Sequence, residues 1–350
     1  MAAPLDFSYR EPNRTTEEIR LLTINPSSDD LSDKIDCSIE HSTIKGAIYR
    51  ALPYTWGDPS QTESIVLNGQ PFLRLISSPI WIDAVCINQK DLSERSSQVA
   101  RIRDIFAQAE EVLAWVGPKT SGDDENAIDL ISNCAKTALS STKGFRTPQF
   151  KHWLYREYLK NSSRWHALAN LLERLWFSRV WIVQEVVVSA SAIVTCGNLR
   201  LDLYRFELGV EAIHEHLSLI MEAARYSTGL QLHEFLQSVE RLSRGCSHVR
   251  TIARRRYEIK MDATQYRSFY DIAVQRVNDT DAADPRDMVH AVQRIVDPSY
   301  PELFSLVPDY ANVTVNQLYM TLSKVHIEIR MDLLAFNDNY GPVRPNGLPS

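Results

Sequence analysis

The chain has 350 residues, 44% of them hydrophobic and 23% charged, enough apolar side chain to build one large domain or two ordinary ones and to exclude disorder over most of the length. Its 38 basic and 44 acidic residues leave a formal charge of −6, which argues against general nucleic-acid binding. No apolar run approaches a membrane-spanning length, the first residues carry no basic-then-apolar leader, and five scattered cysteines form no C-x-x-C pair, so the expectation is a cytoplasmic protein with free buried thiols and without membrane association, metal site or disulfide framework.

In chain order, residues 18–24 read as a strand ended by Asn25-Pro26. A polar loop, residues 27–32, precedes a second short alternating strand over 35–39. Residues 49–56 follow, closed by the turn Gly57-Asp58-Pro59. Next comes a hairpin in which Ile65 and Leu67 alternate with other residues, Asn68-Gly69 supplies a type I′ turn, and Phe72-Leu73 begins the return. Residues 80–87 form an apolar run with one acid, the pattern of a strand buried on both faces. Asp91 opens a helix as its N-cap, with Glu94 at the third position of a capping box. Val99, Ile102, Phe106 and Ala109 then recur at helical spacing, and residues 112–116 form another buried strand stopped by Gly117-Pro118. Strand, amphipathic helix, strand is a βαβ unit, which predicts a mostly parallel sheet with right-handed crossovers. Trp81, Ile82, Val85, Val112 and Trp115 are the expected core.

Beyond residue 120 the pattern turns helical. Trp165, Leu168, Leu172, Leu175 and Trp176 mark one helix, and residues 180–188 another, with Ser178 as its cap. Residues 192–203 read as a hairpin turning at Gly197-Asn198. Further helices are expected near 206–225, 229–243, 262–277, 286–296 and 314–330, the fourth opened by Asp284 with Pro285 at the first helical position. Arg254, Arg255 and Arg256 stand in a row, either as a solvated helix face or as a patch for phosphates.

These patterns divide the chain into N-terminal strands with a polar loop (1–44), an α/β domain (45–188) and a mainly helical extension (189–350). Trp56, Gly57 and Asp58, residues Asp83 to Asn88, and Gly117-Pro118 all fall at or beyond the carboxyl ends of expected strands, where open α/β sheets bind ligands. The competing explanation for the glycines, the proline and Asp91 is turn and cap geometry. It suits Asp83 less well, because an acid inside an apolar strand costs several kcal/mol unless it is paired or functional.

Three segments, in order and spacing, resemble the fungal heterokaryon incompatibility (HET) family. They are Tyr49-Arg50-Ala51-Leu52-Pro53-Tyr54-Thr55-Trp56-Gly57-Asp58; then Trp81-Ile82-Asp83-Ala84-Val85-Cys86-Ile87-Asn88-Gln89, continuing through Glu94-Arg95 and Gln98-Val99 to Val116-Gly117; and finally Leu175-Trp176-Phe177-Ser178-Arg179-Val180-Trp181-Ile182-Val183-Gln184-Glu185. Weaker similarity reaches Asp284-Pro285-Arg286-Asp287 and Pro308-Asp309-Tyr310. The resemblance implies a module for self/non-self recognition that triggers programmed death of fused cells, working through protein partners and self-association. It needs no cofactor, and it assigns to the crevice Trp56, Gly57, Asp58, Asp83, Asn88, Gln89, Glu94, Arg95 and Trp181. The family is in turn similar to TIR domains, which implies an α/β, TIR-like or flavodoxin-like fold: a mostly parallel sheet flanked by helices. Some TIR domains cleave NAD with a glutamate in a W-x-x-x-E pattern. Trp181-Ile182-Val183-Gln184-Glu185 has that form, so Glu185 is the candidate catalytic residue and NAD the candidate substrate. The alternative is an interfacial helix whose Gln184 and Glu185 pair with arginines such as Arg179.

The chain also departs from the family. Pro53 stands where a serine is usual. Only residues 76–80 separate Leu75 from Trp81 where the family has a helix, and a parallel crossover takes a dozen or more residues. Either residues 80–87 pair differently or a segment is absent, and an under-covered apolar face beside Trp81 is expected to invite self-association. Family members read on past the position of Ser350, so a non-functional truncated fragment is the third reading.

Overall fold

The computed structural model describes residues 8–24, 35–55, 65–67, 79–120, 122–160, 163–227, 232–261, 280, 282–293 and 306–338. Among the described residues eight strands form one sheet: β1 (Glu18–Ile24), β2 (Ile35–Thr43), β3 (Arg50–Ala51), β4 (Ile65–Leu67), β5 (Ile80–Trp81), β6 (Glu111–Trp115), β7 (Ala192–Cys196) and β8 (Leu199–Asp202). Their order across the sheet is β4-β2-β1-β5-β3-β6-β7-β8. The central block β5-β3-β6-β7 is parallel throughout. β1 runs antiparallel to both β2 and β5, and β8 antiparallel to β7. Taken in chain order, the four parallel strands lie second, first, third, fourth, the arrangement that opens a flavodoxin-like sheet and puts a switch point between its first and third strands. The expected α/β class with a mostly parallel centre is what the chain adopts. The sheet runs through all three expected segments, because β1 joins β5 and β7 joins β6.

Residues 80–87 depart from expectation. β5 ends at Trp81, and a helical turn, α1 (Asp83–Cys86), follows at once. The amides of Val85 and Cys86 return to the Ile82 carbonyl at 3.1 and 2.7 Å, and Ile87 N returns to Asp83 O at 3.1 Å. Periodicity cannot separate a short buried strand from a buried helical turn when all positions but one are apolar. The acid opens the turn, its carboxylate accepting from Ala84 N at 2.8 Å, where the free amides of a helix start favour negative charge.

Asp91 caps α2 (Leu92–Val99) as expected, accepting from the amides of Ser93 and Glu94. The helix then breaks, and α3 (Ile102–Gln108) follows. Val99, Ile102, Phe106 and Ala109 are all buried. After β6 come α4 (Gly122–Leu139), α5 (Pro148–Lys160), α6 (Ser163–Leu172), a 3-10 turn over Leu175–Ser178, and α7 (Ile182–Val187). Ser178 does not cap α7. Its hydroxyl donates to Leu175 O at 3.1 Å, and the cap position falls on Trp181 with no side-chain bond. The expected hairpin is β7–β8, turning at Gly197, whose φ of +55° suits glycine. Among the described residues there follow α8 (Leu203–His214), α9 (Leu217–Ser227), α10 (Leu232–Met261), α11 (Asp287–Gln293) and α12 (Val315–Asp338). The expected helix at 262–277 and the return arm at Phe72-Leu73 lie outside the described residues. β4 pairs in parallel with β2.

Trp81 and Val112 are buried core, but Ile82, Val85 and Trp115 are only partly so. β6 alternates rather than being covered on both faces. The under-covered face expected beside Trp81 is absent from the described residues: the indole is 1% exposed and meets Phe106 edge-on at 5.5 Å. Successive residues on a helix project about 100° apart, and the arginine row divides accordingly: Arg254 is exposed, Arg255 buried and Arg256 intermediate. It is not a single patch.

Candidate functional site

The chain leaving β5 makes the floor of a crevice. Asp83 sits on the first residue of α1, and Gln89 closes the loop behind it by donating Nε2 to Asp83 O at 2.8 Å. Asn88 donates its backbone amide to Glu94 Oε1 at 2.7 Å, and Glu94 is gripped from the far side by Arg20. The second wall is α7. Trp181 precedes its first residue, and the Trp181 carbonyl accepts from the amides of Gln184 and Glu185 at 2.9 and 3.1 Å. That first turn places Glu185 in the crevice.

The result is a cavity of about 520 Å³ beyond the carboxyl end of β5, where Asp83, Gln89, Arg95, Arg179, Trp181 and Glu185 meet Trp81, Thr55, Asp287 and Tyr310. Five residues that the sequence picked out are therefore brought together: Asp83, Gln89, Arg95, Trp181 and Glu185. Asn88 and Glu94 are not in the lining and act beneath it, holding the loop. Trp56, Gly57 and Asp58 lie outside the described residues.

Glu185 is 5% exposed. Burial pushes its carboxyl up to about 7, with the Arg179 guanidinium opposing and the Asp83 carboxylate adding to the rise. Arg179 reaches it with two long bonds, 3.3 and 3.4 Å, which leaves desolvation dominant. Asp287 is likewise raised by burial, although the Tyr310 hydroxyl donates to it. Tyr54, beside the cavity, is raised by burial and by Asp83. Trp81 Nε1 and Thr55 Oγ1 are buried without a hydrogen-bond partner among the described residues. Buried polar groups are normally satisfied, so a site in this position has donors to offer an entering ligand or solvent. A carboxyl poised near neutrality beside a guanidinium suits proton transfer or stabilisation of a developing positive charge.

Sequence reasoning missed Asp287 and Tyr310 as site residues and named Arg179 only as a partner. The signal for the first two was present in the stretches 284–287 and 308–310, but they lie 102 or more residues after Glu185, and nothing in their local pattern says that they return to it. Among the described residues, no three His, Cys, Asp or Glu side chains come together as a metal-holding group, and no helix is long and apolar enough to cross a membrane.

Residues 49–185 match the family model described as heterokaryon incompatibility protein (HET). The chain is also similar to heterokaryon incompatibility protein 6, OR allele, of Neurospora crassa, 31% identical over 228 residues, which is 51% of this chain and 33% of that relative. The match thus spans about a third of the relative's length. No solved structure matches the chain.

Proposed function

We propose, from the HET domain that the chain carries over residues 49–185, that it is a self/non-self recognition protein of a fungus, a cytoplasmic module that signals programmed cell death through protein partners and self-association. The observation that carries this reading is the family-model match over residues 49–185, beside the 31% identity over 228 residues to a heterokaryon incompatibility protein. The crevice is the working part, since residues from the second and third motifs meet there. Inducible expression of the full chain in a filamentous fungal host tests it: growth arrest is expected, and normal growth at confirmed protein levels overturns it.

A second reading is favoured by one specific observation, the buried Glu185 held near neutrality in the same cavity as Asp83. In this reading the cavity takes NAD. The Glu185 carboxylate stabilises the ribosyl cation as the bond from C1′ to the nicotinamide nitrogen breaks, the electron pair leaving with nicotinamide. Water then adds at C1′ and a proton is released, giving ADP-ribose. NAD measured alongside growth separates the two readings: arrest with undiminished NAD retires the enzymatic one.

A further inference from the structure

Two guanidinium groups line the cavity, those of Arg95 and Arg179, and only one of them is answered. Arg179 pairs with the Glu185 carboxylate. The Arg95 side chain, half-buried on α2, takes part in no hydrogen bond or ion pair among the described residues. It lies against the Tyr310 ring instead, 4.1 Å from the centroid. The carboxylates of Asp284 and Asp287 feel its charge but are engaged elsewhere. Asp284 holds Arg286 at 2.7 to 3.2 Å, and Asp287 accepts from the Tyr310 hydroxyl. Two more donors in the same lining, Trp81 Nε1 and Thr55 Oγ1, are buried without a partner among the described residues. Charges and polar groups withdrawn from water are normally paired, so three donors are left for whatever enters. The guanidinium is also held in place. Tyr310 N donates to Ser96 Oγ, on the residue next to Arg95, at 3.1 Å, and Tyr310 O accepts from Arg286 Nη1 at 3.1 Å. On the other side of Arg95, Glu94 is locked to Arg20.

We propose that the cavity binds a nucleoside diphosphate or its sugar ester, with the phosphate oxygens docked on Arg95 and with Tyr310 positioning that guanidinium. The planar fork of an arginine matches phosphate oxygens with two parallel hydrogen bonds. A carboxylate offers two oxygens. A diphosphate offers enough acceptors for the guanidinium and for the Trp81 and Thr55 donors together. The cavity volume of about 520 Å³ is that of a small-molecule site. Trp181 adds an aromatic side chain to the lining, and bases stack on such rings. The proposal rests on the reading that the crevice is the working part, and it names the ligand class for it. It requires no bond cleavage: a recognition module that senses a nucleotide fits it as well as an enzyme does. It also extends the functional unit beyond residue 185, since Tyr310 lies outside the family-matched segment.

The experiment is titration calorimetry of the full chain with ADP-ribose, with adenosine as the probe that lacks phosphate. ADP-ribose is expected to bind, and adenosine to bind about tenfold more weakly or worse. Arg95→Met, which removes the charge and keeps the stem, is expected to weaken ADP-ribose by about tenfold or more, and Arg95→Lys to restore part of the loss. Tyr310→Leu is expected to cost about fivefold, and Tyr310→Phe, which keeps the ring, to recover most of that. A melting curve on each variant confirms that it is folded. Excess malonate is not expected to displace ADP-ribose, whereas inorganic pyrophosphate is. Absence of ADP-ribose binding by the parent chain, undiminished binding by Arg95→Met, or displacement by malonate as readily as by pyrophosphate overturns the proposal. Growth of the fungal host is scored in parallel. If Arg95→Met loses affinity and relieves the arrest, both the site and the reading beneath it stand. If it loses affinity and the arrest persists, the site stands and the reading of the crevice as the working part falls.

Discussion

Arg20 on β1 and Glu94 on α2 form a buried two-pronged ion pair, Nη1 to Oε1 at 2.8 Å and Nη2 to Oε2 at 2.6 Å, with side chains 1% and 4% exposed. The same guanidinium donates to Cys86 O at 2.8 Å and the same carboxylate accepts from Asn88 N. The pair therefore holds the loop carrying Gln89 against a strand that precedes the matched domain. Removing one partner strands a buried charge. Glu94→Ala and Arg20→Ala should each cost about 3–5 kcal/mol, whereas the joint change to Leu and Met should cost much less. Urea unfolding checks this. A single alanine variant within about 1 kcal/mol of the parent would sink the assignment, since that is the range of exposed pairs.

Trp81 is the largest buried anchor of β5, packed edge-on against Phe106 of α3. Trp81→Ala should lower stability by about 3–5 kcal/mol. The half-buried Trp115 should lose visibly less. Equal losses at both positions would contradict the alternation along β6.

Glu185 makes stability depend on pH. Its folded carboxyl is raised to about 7 from an ordinary 4.5. Below the ordinary value both folded and unfolded chains hold the proton and nothing is lost. As pH rises towards 7 the unfolded chain ionises first, and folding loses about 1.4 kcal/mol for each unit by which the two values differ. Above 7 the cost is complete. Glu185→Gln should therefore raise the melting temperature more at pH 8 than at pH 5. A gain that is the same at both pH values would show that the carboxylate is not desolvated.

Gly209 lets α8 lie close on α4. A Cβ there would stand 2.3 Å from the Ile131 carbonyl oxygen. Alanine is ordinarily the better helix former by about 1 kcal/mol, yet Gly209→Ala should destabilise by about 1–3 kcal/mol through overpacking. Chemical denaturation gives the sign, and a stabilised variant would mean that the two helices are free to move apart.

Much of the site was legible because its residues sit at strand ends and helix starts. Asp91 announced a cap, and Gly197-Asn198 a hairpin. Asp83 stood out as the one acid in an apolar run, and Trp181 and Glu185 as a spaced pair on a short helix. What misled was local ambiguity. The run 80–87 is equally apolar as strand or turn, and Ser178 looked like a cap although the backbone enters α7 three residues later. Glu94 was grouped with the crevice because it shares a motif with Arg95. Consecutive helical residues point about 100° apart, so one faces Arg20 and the other the cavity.

By itself the sequence determined the α/β class, the position of strand β6, the periodic face of α2 and α3 and the motifs at the sheet's carboxyl edge. Each of these rests on residues close together in the chain, where spacing and turn chemistry act directly. Only the tertiary structure decided that β1 completes the sheet beside β5, that Arg20 answers Glu94 across 74 residues, and that Asp287 and Tyr310 close the wall facing Glu185. Those contacts depend on burial and on the pairing of desolvated charges between distant segments, and such energies have no period to read along a chain.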